Sequence, residues 1–349
     1  MRVKRGKMDG STGSKRLLVT GGAGFIGSNL VRLILHEYPE YQVINYDLLT
    51  YAGNLISLAD VADHPLYKFI RGDVADRLAV SEAVEGCWGV LHLAAESHVD
   101  RSILDAGPFL TTNVIGTQVM LEAAREHRVE RFVLVSTDEV YGSLNLDDPP
   151  FNEENLLKPN SPYAASKAGA DLLVRAYYKT YGLPAVITRC SNNYGPYQFP
   201  EKLIPLAIRN ILENEPVPVY GDGQQVRDWL YVEDHCRAII DVLERGQVGE
   251  IYNIGGNCEV VNLDLVRMLL SELGRPETLI SFIKDRPGHD RRYAMDTTRI
   301  ERELGWRPKH ALKDALPKTI KWYIDNADWV NSVISGEYLE YYDKQYGDR

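Results

Sequence analysis

Over the first half of the chain, short apolar runs alternate with segments whose apolar residues recur every three or four positions, the pattern of a parallel sheet with crossover helices. Strands are predicted over 16–20, 42–46, 67–71, 89–93 and 131–135, and helices over 25–37, 78–84 and 110–127. The first helix places Leu30, Val31, Ile34 and Leu35 on one face, which is expected to lie against the sheet. A helix over 163–181 leads to a strand over 185–189, and there the rhythm loosens. Pro196, Pro200, Pro205, Pro216, Pro218, Gly221 and Gly223 punctuate the next stretch, and beyond 189 helices are suggested only over 203–213, 232–245 and 263–273. The pattern predicts an α/β fold: a doubly wound parallel sheet of the Rossmann type with a smaller C-terminal lobe.

The first strand runs into a glycine-rich turn with Gly21, Gly24 and Gly27 evenly spaced ahead of the helix. Glycine permits a tight turn and close backbone approach, and the helix start offers free N–H groups and a positive dipole to a diphosphate. Such a turn alone is common. Asp47 strengthens it, because an acid at the end of the second strand accepts from both hydroxyls of a ribose and favours NAD over NADP. Asp73, after the third strand, fits a place near the adenine and serves equally well as a turn cap. The expected organisation is a flexible leader over 1–15, basic at Arg2, Lys4, Arg5 and Lys7, then an NAD-binding domain over 16–196 onto which 226–258 packs back. The remainder of 197–349 is expected to form mainly the substrate-binding lobe.

Tyr163 and Lys167 lie four apart, on one face of the predicted helix. An ammonium near a phenol favours phenolate, which can take a hydroxyl proton as hydride leaves the same carbon. The fifth strand empties into Ser136, Thr137, Asp138 and Glu139, at the sheet edge where open α/β proteins bind ligands. Adjacent carboxyls there suit paired proton transfer, one as acid and one as base; the alternative is a solvated acidic loop.

Bulk properties narrow the partners. The 349 residues, 44% hydrophobic and 25% charged, are those of a globular chain, and a formal charge of -10 leaves no broad basic surface for nucleic acid. Any anionic ligand must be small and locally held. Cys87, Cys190, Cys236 and Cys258 form no CxxC pair and lack histidines at zinc-ligand spacing, so reduced thiols and no metal are expected. No apolar run is long enough to span a bilayer, and residues 1–14 lack a signal core, so a cytoplasmic location is expected.

Read together, the motifs resemble the extended short-chain dehydrogenase family and, within it, the dTDP-glucose 4,6-dehydratases. The resemblance rests on TGGAGFIGS from Thr20, LTYAGN from Leu49, HLAAESHVDRSI from His92, STDEVYG from Ser136, SPYAASKA from Ser161, NNYGPYQFPEKLIP from Asn192, RDWLYVEDH from Arg227, YNIGG from Tyr252 and DRPGHDRRY from Asp285. It covers Arg16 to the C-terminus, and Thr137-Asp-Glu is its most specific part.

The resemblance implies a three-step cycle. Tyr163, with Thr137 positioning the C4 hydroxyl and Lys167 tuning the phenol, removes a proton while hydride passes to NAD. Glu139 then takes the acidified C5 proton as Asp138 protonates the departing C6 hydroxyl, and hydride returns to C6. The cofactor must stay bound between steps, so added NAD is not expected to be needed. The resemblance also assigns cofactor contacts to Phe25, Ile26, Asp47, Leu48, Leu49, Thr50, Asp73, Val74, Leu93, Ala94, Ala95, Ser97, Thr112 and Asn193. Substrate contacts fall to Ser97, Thr137, Asn192, Lys202, Leu203, Pro218, Val219, Tyr220, Arg227, Asn262, Asp285, Arg286, Pro287, Gly288 and His289. It further implies a homodimer joined through a four-helix bundle formed by the helices over 110–127 and 163–181.

Some of these assignments make sense on their own chemistry. Arg227 can fork onto a diphosphate and Lys202 offers it a point charge, although either side chain is also suited to a surface ion pair. Tyr220, among prolines, suits a pyrimidine cradle or a core. His98 is read as structural. Arg189 stands where some relatives carry an uncharged residue and bears on substrate or nucleotide preference.

Three rival readings share this frame. A nucleotide-sugar 4-epimerase needs the loop, Tyr163 and Lys167 but no acid pair. A dehydratase for UDP-glucose, CDP-glucose or GDP-mannose differs in its nucleotide contacts, where the Glu201 and Asp285 motifs favour dTDP. A non-catalytic NAD-binding protein would not be expected to keep Thr137, Asp138, Glu139, Tyr163 and Lys167 intact.

Overall fold

The alternation of the first half builds five strands of a seven-stranded parallel sheet in a computed structural model of the chain, which describes residues 14–334. Its first six strands are β1 (Lys15–Thr20), β2 (Tyr41–Asp47), β3 (Tyr67–Arg71), β4 (Gly89–His92), β5 (Arg131–Thr137) and β6 (Ala185–Cys190). The second half supplies β7 (Asn192–Tyr194), β8 (Val217–Tyr220), β9 (Val226–Tyr231), β10 (Ile251–Ile254), β11 (Glu259–Val261) and β12 (Ile280–Ile283). The order in the large sheet is β3-β2-β1-β4-β5-β6-β10. It reverses between β1 and β4, and a crevice at the C-terminal ends of such strands is where doubly wound sheets bind ligands. Thr20 stands opposite both Tyr46 and His92 there, and Thr137 opposite Cys190.

Helices cover both faces, as a sheet buried on both sides requires. The helices Phe25–Glu37 and Val232–Arg245 share one core with Leu17, Val19 and Val133, into which Leu30, Val31 and Ile34 are fully buried. On the other face Arg77–Val84, Thr117–Glu126 and Pro162–Tyr181 bury Val80, Met120 and Val174 with Leu18, Phe132 and Leu134. A third core lies in the C-terminal lobe, where Leu203–Glu213, Asn262–Glu272 and Leu312–Asp325 pack with the sheets β11-β9-β7 and β12-β8. No helix among the described residues is long and apolar enough to cross a membrane.

Three differences from the sequence pattern have physical causes. The helix expected over 110–127 starts earlier, at Gly107, and winds as a π-helix over Leu110–Gly116 before turning α over Thr117–Glu126. The Thr117 hydroxyl donates to the Asn113 carbonyl at 2.7 Å, and Gly116 packs so close to Val74 that a Cβ would meet its methyl at 2.5 Å. Periodicity carries no mark of such a local change of winding. The short strands β7, β8, β11 and β12 show no alternation long enough to read, and Pro218 interrupts β8. The leader expected over 1–15 lies outside the described residues up to position 13, and Lys15 already belongs to β1.

The first helix approaches the glycine turn closely at Gly27, where a Cβ would stand 2.1 Å from the Gly21 carbonyl oxygen. Backbone cannot step aside as a flexible side chain can. Gly27→Ala is therefore expected to lower the unfolding free energy by about 2 kcal/mol or more, measured by urea denaturation.

Candidate active site

The turn after β1 is built for close approach. Gly21 adopts φ +69° and lies against Ala94, whose backbone nitrogen would meet a Cβ at 2.7 Å. The following helix starts at Gly24 without a side-chain cap, leaving its first N–H groups directed out of the turn. Asp47 closes β2 with one carboxylate oxygen 2.9 Å from the Ala23 nitrogen and the other 2.8 Å from the Leu49 nitrogen. Burial raises its pKa, and these two N–H donors work against that rise. Leu49 makes the sharp exit with a left-handed φ of 61°.

These elements surround a cavity at the switch point. Its walls hold Gly21, Gly24, Phe25, Ile26, Gly27, Asp47, Leu48, Thr50, Asp73, Val74, Leu93, Ala94, Ala95, Ser97, Thr112 and Asn193. Leu49 is not among the lining residues; its place is in the turn. Asp73 both lines the cavity and caps a turn, accepting from the Ala75 nitrogen at 2.8 Å.

Thr137, Asp138, Glu139, Tyr163 and Lys167 line the same cavity at its far end. Thr137 ends β5 and caps the 3-10 turn Asp138–Tyr141, accepting from the Glu139 nitrogen at 3.3 Å while its hydroxyl donates to Asp138 at 3.2 Å. Burial pushes Asp138 well above the usual carboxylate range, and the nearby charges of Glu139 and Asp228 push it further. Its second oxygen has no partner among the described residues. Glu139 is raised by burial too, but Arg286, Lys202 and Arg227 pull it back toward the ionised form. Both carboxyls are thus pushed toward the protonated form, and the nearby cations oppose this mainly at Glu139.

Burial raises the Tyr163 phenol well above its ordinary value, Glu139 adds to this, and a hydrogen bond from Thr137 opposes it. The Lys167 ammonium donates to the Val135 carbonyl at 2.8 Å, on the cavity wall it shares with Tyr163. Burial lowers the Lys167 pKa, with Asp171, one helical turn on, working against it. Arg189 reaches that same Asp171 at 2.8 Å in a buried ion pair and lines neither cavity.

A second cavity adjoins the first, with Glu139, Asn192, Glu201 and Lys202 common to both. Leu203, Pro218, Val219, Tyr220, Arg227, Asn262, Arg286 and His289 complete its side toward the lobe. Lys202 donates to the Ser97 carbonyl at 3.0 Å. Arg227 directs two of its donors at the carbonyls of Val226 and Asp290, at 2.8 and 3.0 Å, and stacks 4.4 Å from the Tyr293 ring. The fork expected to be open is thus partly committed. Tyr220 donates to Asp100 at 2.9 Å, and Asp100 also holds Arg286 at 3.6 Å. Asp285, Pro287 and Gly288 are exposed and off the cavity walls. Asp285 instead braces His289, 2.6 Å from its Nδ1, and burial with the nearby arginines takes His289 down to about 4. His98 is buried within 3.9 Å of Glu201 and held well below its usual pKa by burial. No cluster of His, Cys, Asp and Glu among the described residues could hold a metal ion.

Several residues at the site escaped the sequence reading. Asn113 bonds Glu96 through both amide atoms, 2.9 Å each, and Ser166 at 2.8 Å, joining the β4 loop to the Tyr163 helix. His92 links Thr20 at 2.7 Å to Thr117 at 3.1 Å. Asp100, Glu201 and Tyr293 were likewise unassigned. A polar residue inside an apolar run is the one signal His92 offered.

Comparison with known proteins agrees with this geometry. The family model described as GDP-mannose 4,6 dehydratase matches residues 18–319. A dTDP-glucose 4,6-dehydratase of Neisseria meningitidis is 52% identical over 93% of this chain and 97% of its own length. The crystal structure of DesIV, a dTDP-glucose 4,6-dehydratase from Streptomyces venezuelae with NAD and TYD bound, is 51% identical with a TM-score of 0.89, covering 91% of this chain and 100% of that one. A UDP-glucuronic acid 4-epimerase from Bacillus cereus, in complex with UDP-glucuronic acid and NAD, shares the fold at 31% identity and a TM-score of 0.84, over 89% of this chain and 99% of its own. The chain belongs to the GDP-mannose 4,6 dehydratase family and, within it, to the dTDP-glucose 4,6-dehydratases.

Proposed function

We propose that the protein converts dTDP-glucose to dTDP-4-keto-6-deoxyglucose, with NAD held throughout in the first cavity and the nucleotide sugar entering from the second. The observation that carries this reading is Glu139, which faces both cavities beside a buried Asp138 and across from Tyr163. The glycine turn fits a dinucleotide: the backbone at Gly21 and Gly27 leaves no room for a Cβ, the helix start is uncapped, and Asp47 retains lone pairs for ribose hydroxyls. When bound, NAD accepts a hydride from C4 and returns it to C6.

The chain's own residues move the protons. Tyr163, on the wall it shares with Thr137, takes the proton of the C4 hydroxyl, and Lys167 supplies the positive charge there. The C4 ketone acidifies the C5 proton, which Glu139 accepts as a base that burial strengthens and that Arg286, Lys202 and Arg227 draw back toward its ionised form. Asp138, held protonated by burial and by neighbouring anions, gives its proton to the departing C6 hydroxyl. Glu139 returns its proton to C5 as C6 is reduced, so the sugar loses one water and the cofactor is restored.

On the substrate side, Lys202, Arg286 and the remaining donors of Arg227 suit the diphosphate, with Asn262 beside them and Val219 and Tyr220 shaping the base site. We place the enzyme in the cytoplasm as a homodimer. In support, Leu110, Ile115, Leu172 and Tyr181 are more than half exposed on the two helical segments predicted to form the dimer bundle.

The deciding experiment is mass spectrometry of the purified protein with dTDP-glucose, UDP-glucose, CDP-glucose and GDP-mannose, no NAD being added. Loss of one water from dTDP-glucose alone is expected. Unchanged mass with inversion at C4 would move the assignment to a 4-epimerase. Glu139→Gln is expected to lower dehydration by about 100-fold or more while NAD stays bound. In Tyr163→Phe the initial oxidation should also fail, seen as no reduced-cofactor absorbance on adding substrate. The pH dependence of kcat should be bell-shaped: activity falls on acidification as Glu139 gains a proton, above the usual glutamate range, and on the alkaline side as Asp138 loses its own. A flat acid limb down to the ordinary glutamate range would remove Glu139 as the base.

A further inference from the structure

A cofactor reduced in one step and reoxidised in a later one must not leave in between, yet its cavity opens between two lobes. The segment after β2 lines that cavity and reaches from the sheet to the C-terminal lobe. Thr50 and Gly53 line the cavity from the sheet side, and Phe199 and Glu201 line it from the lobe side. Between them Tyr51 leaves the sheet and packs with the core of the C-terminal lobe. Its ring meets Phe199 edge-on at 5.5 Å, the Arg101 guanidinium stacks over it at 3.9 Å, and its hydroxyl donates to Glu201 at 3.1 Å. The other oxygen of Glu201 takes Arg101 at 3.4 Å, and the Glu201 side chain is only 2% exposed.

The same segment is anchored at several further points. The Asn54 nitrogen donates to the Ala23 carbonyl of the glycine turn at 3.0 Å, and the Trp329 indole of the C-terminal helix donates to Ser57 at 3.1 Å. Leu49, at its start, sits in the left-handed region, a conformation that a leucine keeps only while its surroundings hold it. A left-handed exit at Leu49, a segment that reaches from sheet to lobe, and a shielded Glu201 that receives Tyr51 and Arg101 together make a closure.

We propose that residues 48–57 are a strap closed over bound NAD, that Tyr51, Arg101 and Glu201 are its clasp, and that opening this clasp sets the rate of cofactor release. The inference rests on the NAD-dependent reading above. The triad works in concert: the stacked guanidinium and the phenol both end on one buried carboxylate, so releasing either exposes charge that the other must then hold alone. Glu201 also adjoins Lys202, which links the clasp in sequence to the proposed diphosphate site.

The test is the exchange of protein-bound NAD for excess isotopically labelled NAD, followed by mass spectrometry after rapid desalting. Tyr51→Phe keeps the ring in its core and removes only the hydroxyl, and exchange is expected to quicken about tenfold. Arg101→Leu attacks the clasp from its other arm and should act in the same direction. Because both act on one closure, the double variant should exchange more slowly than the product of the two effects predicts. Exchange within twofold of the parent in both single variants would overturn the clasp. A parent that neither carries nor takes up NAD would remove the cofactor reading itself, and the clasp with it.

Discussion

The site hangs from the way β1 and β4 end. A parallel sheet leaves backbone N–H and C=O groups without ladder partners where its strands stop, and buried groups of that kind must be satisfied by other means. Here the Thr20 hydroxyl accepts from the Leu93 and Ala94 nitrogens at 3.2 and 3.1 Å and bonds His92, whose other ring nitrogen reaches Thr117. That chain fixes Ala94 beneath Gly21, and so fixes the distance between the glycine turn and the β4 loop. Burial takes His92 down to about 3, so its ring stays neutral through the working pH range and the donor and acceptor pattern holds. Asn113 extends the arrangement to Ser166, one turn from Tyr163. The cofactor floor and the phenol are therefore parts of one hydrogen-bonded frame.

Within that frame the charges are arranged so that none is left to solvent alone. Arg286 is held by Asp100, Lys202 by the Ser97 carbonyl, and Arg227 by two backbone carbonyls. Each keeps further donors and is already oriented when an anion arrives, which is what preorganisation means at an electrostatic site. The same cations favour the ionised form of Glu139, while Asp138 feels mainly burial and two neighbouring anions. A diphosphate neutralising those cations would strengthen Glu139 as a base at the moment substrate is present.

Most of this frame was legible as sequence because its causes are local. Alternation, glycine spacing and an acid at the end of β2 arise from the pleat, from steric room and from hydrogen bonding, and each acts within a few residues. The π-helical turn at Leu110–Gly116 was not legible, because apolar periodicity carries no mark of a local change of winding, and the close packing of Gly116 on Val74 joins residues far apart in sequence. Lys167 gave a comparable surprise: helical spacing puts it on the Tyr163 face, but only the β5 backbone decides that its ammonium ends on Val135. Asp285 shows the same limit from the other side. It sits in a dense motif and looks like a ligand, yet it faces outward and orients His289. Residues whose role is to hold another residue leave little trace in one sequence.

The buried carboxyl pair also separates the candidate reactions on energetic grounds. Taking one carboxylate out of water is costly, and placing a second beside it adds repulsion, so the pair resists double ionisation unless neighbouring groups treat its members differently. Three cations favour charge on Glu139, while burial and the negative charges of Glu139 and Asp228 oppose it on Asp138. A 4-epimerase, which removes and returns a hydride at a single carbon with one tyrosine, has no use for such an asymmetric pair and nothing to offset its desolvation. Elimination across C5 and C6 needs both members at once, a base on one carbon and an acid on the next. In the proposed elimination the pair's adjacency at the end of β5 supplies the two groups, and their unequal surroundings suit one to each role.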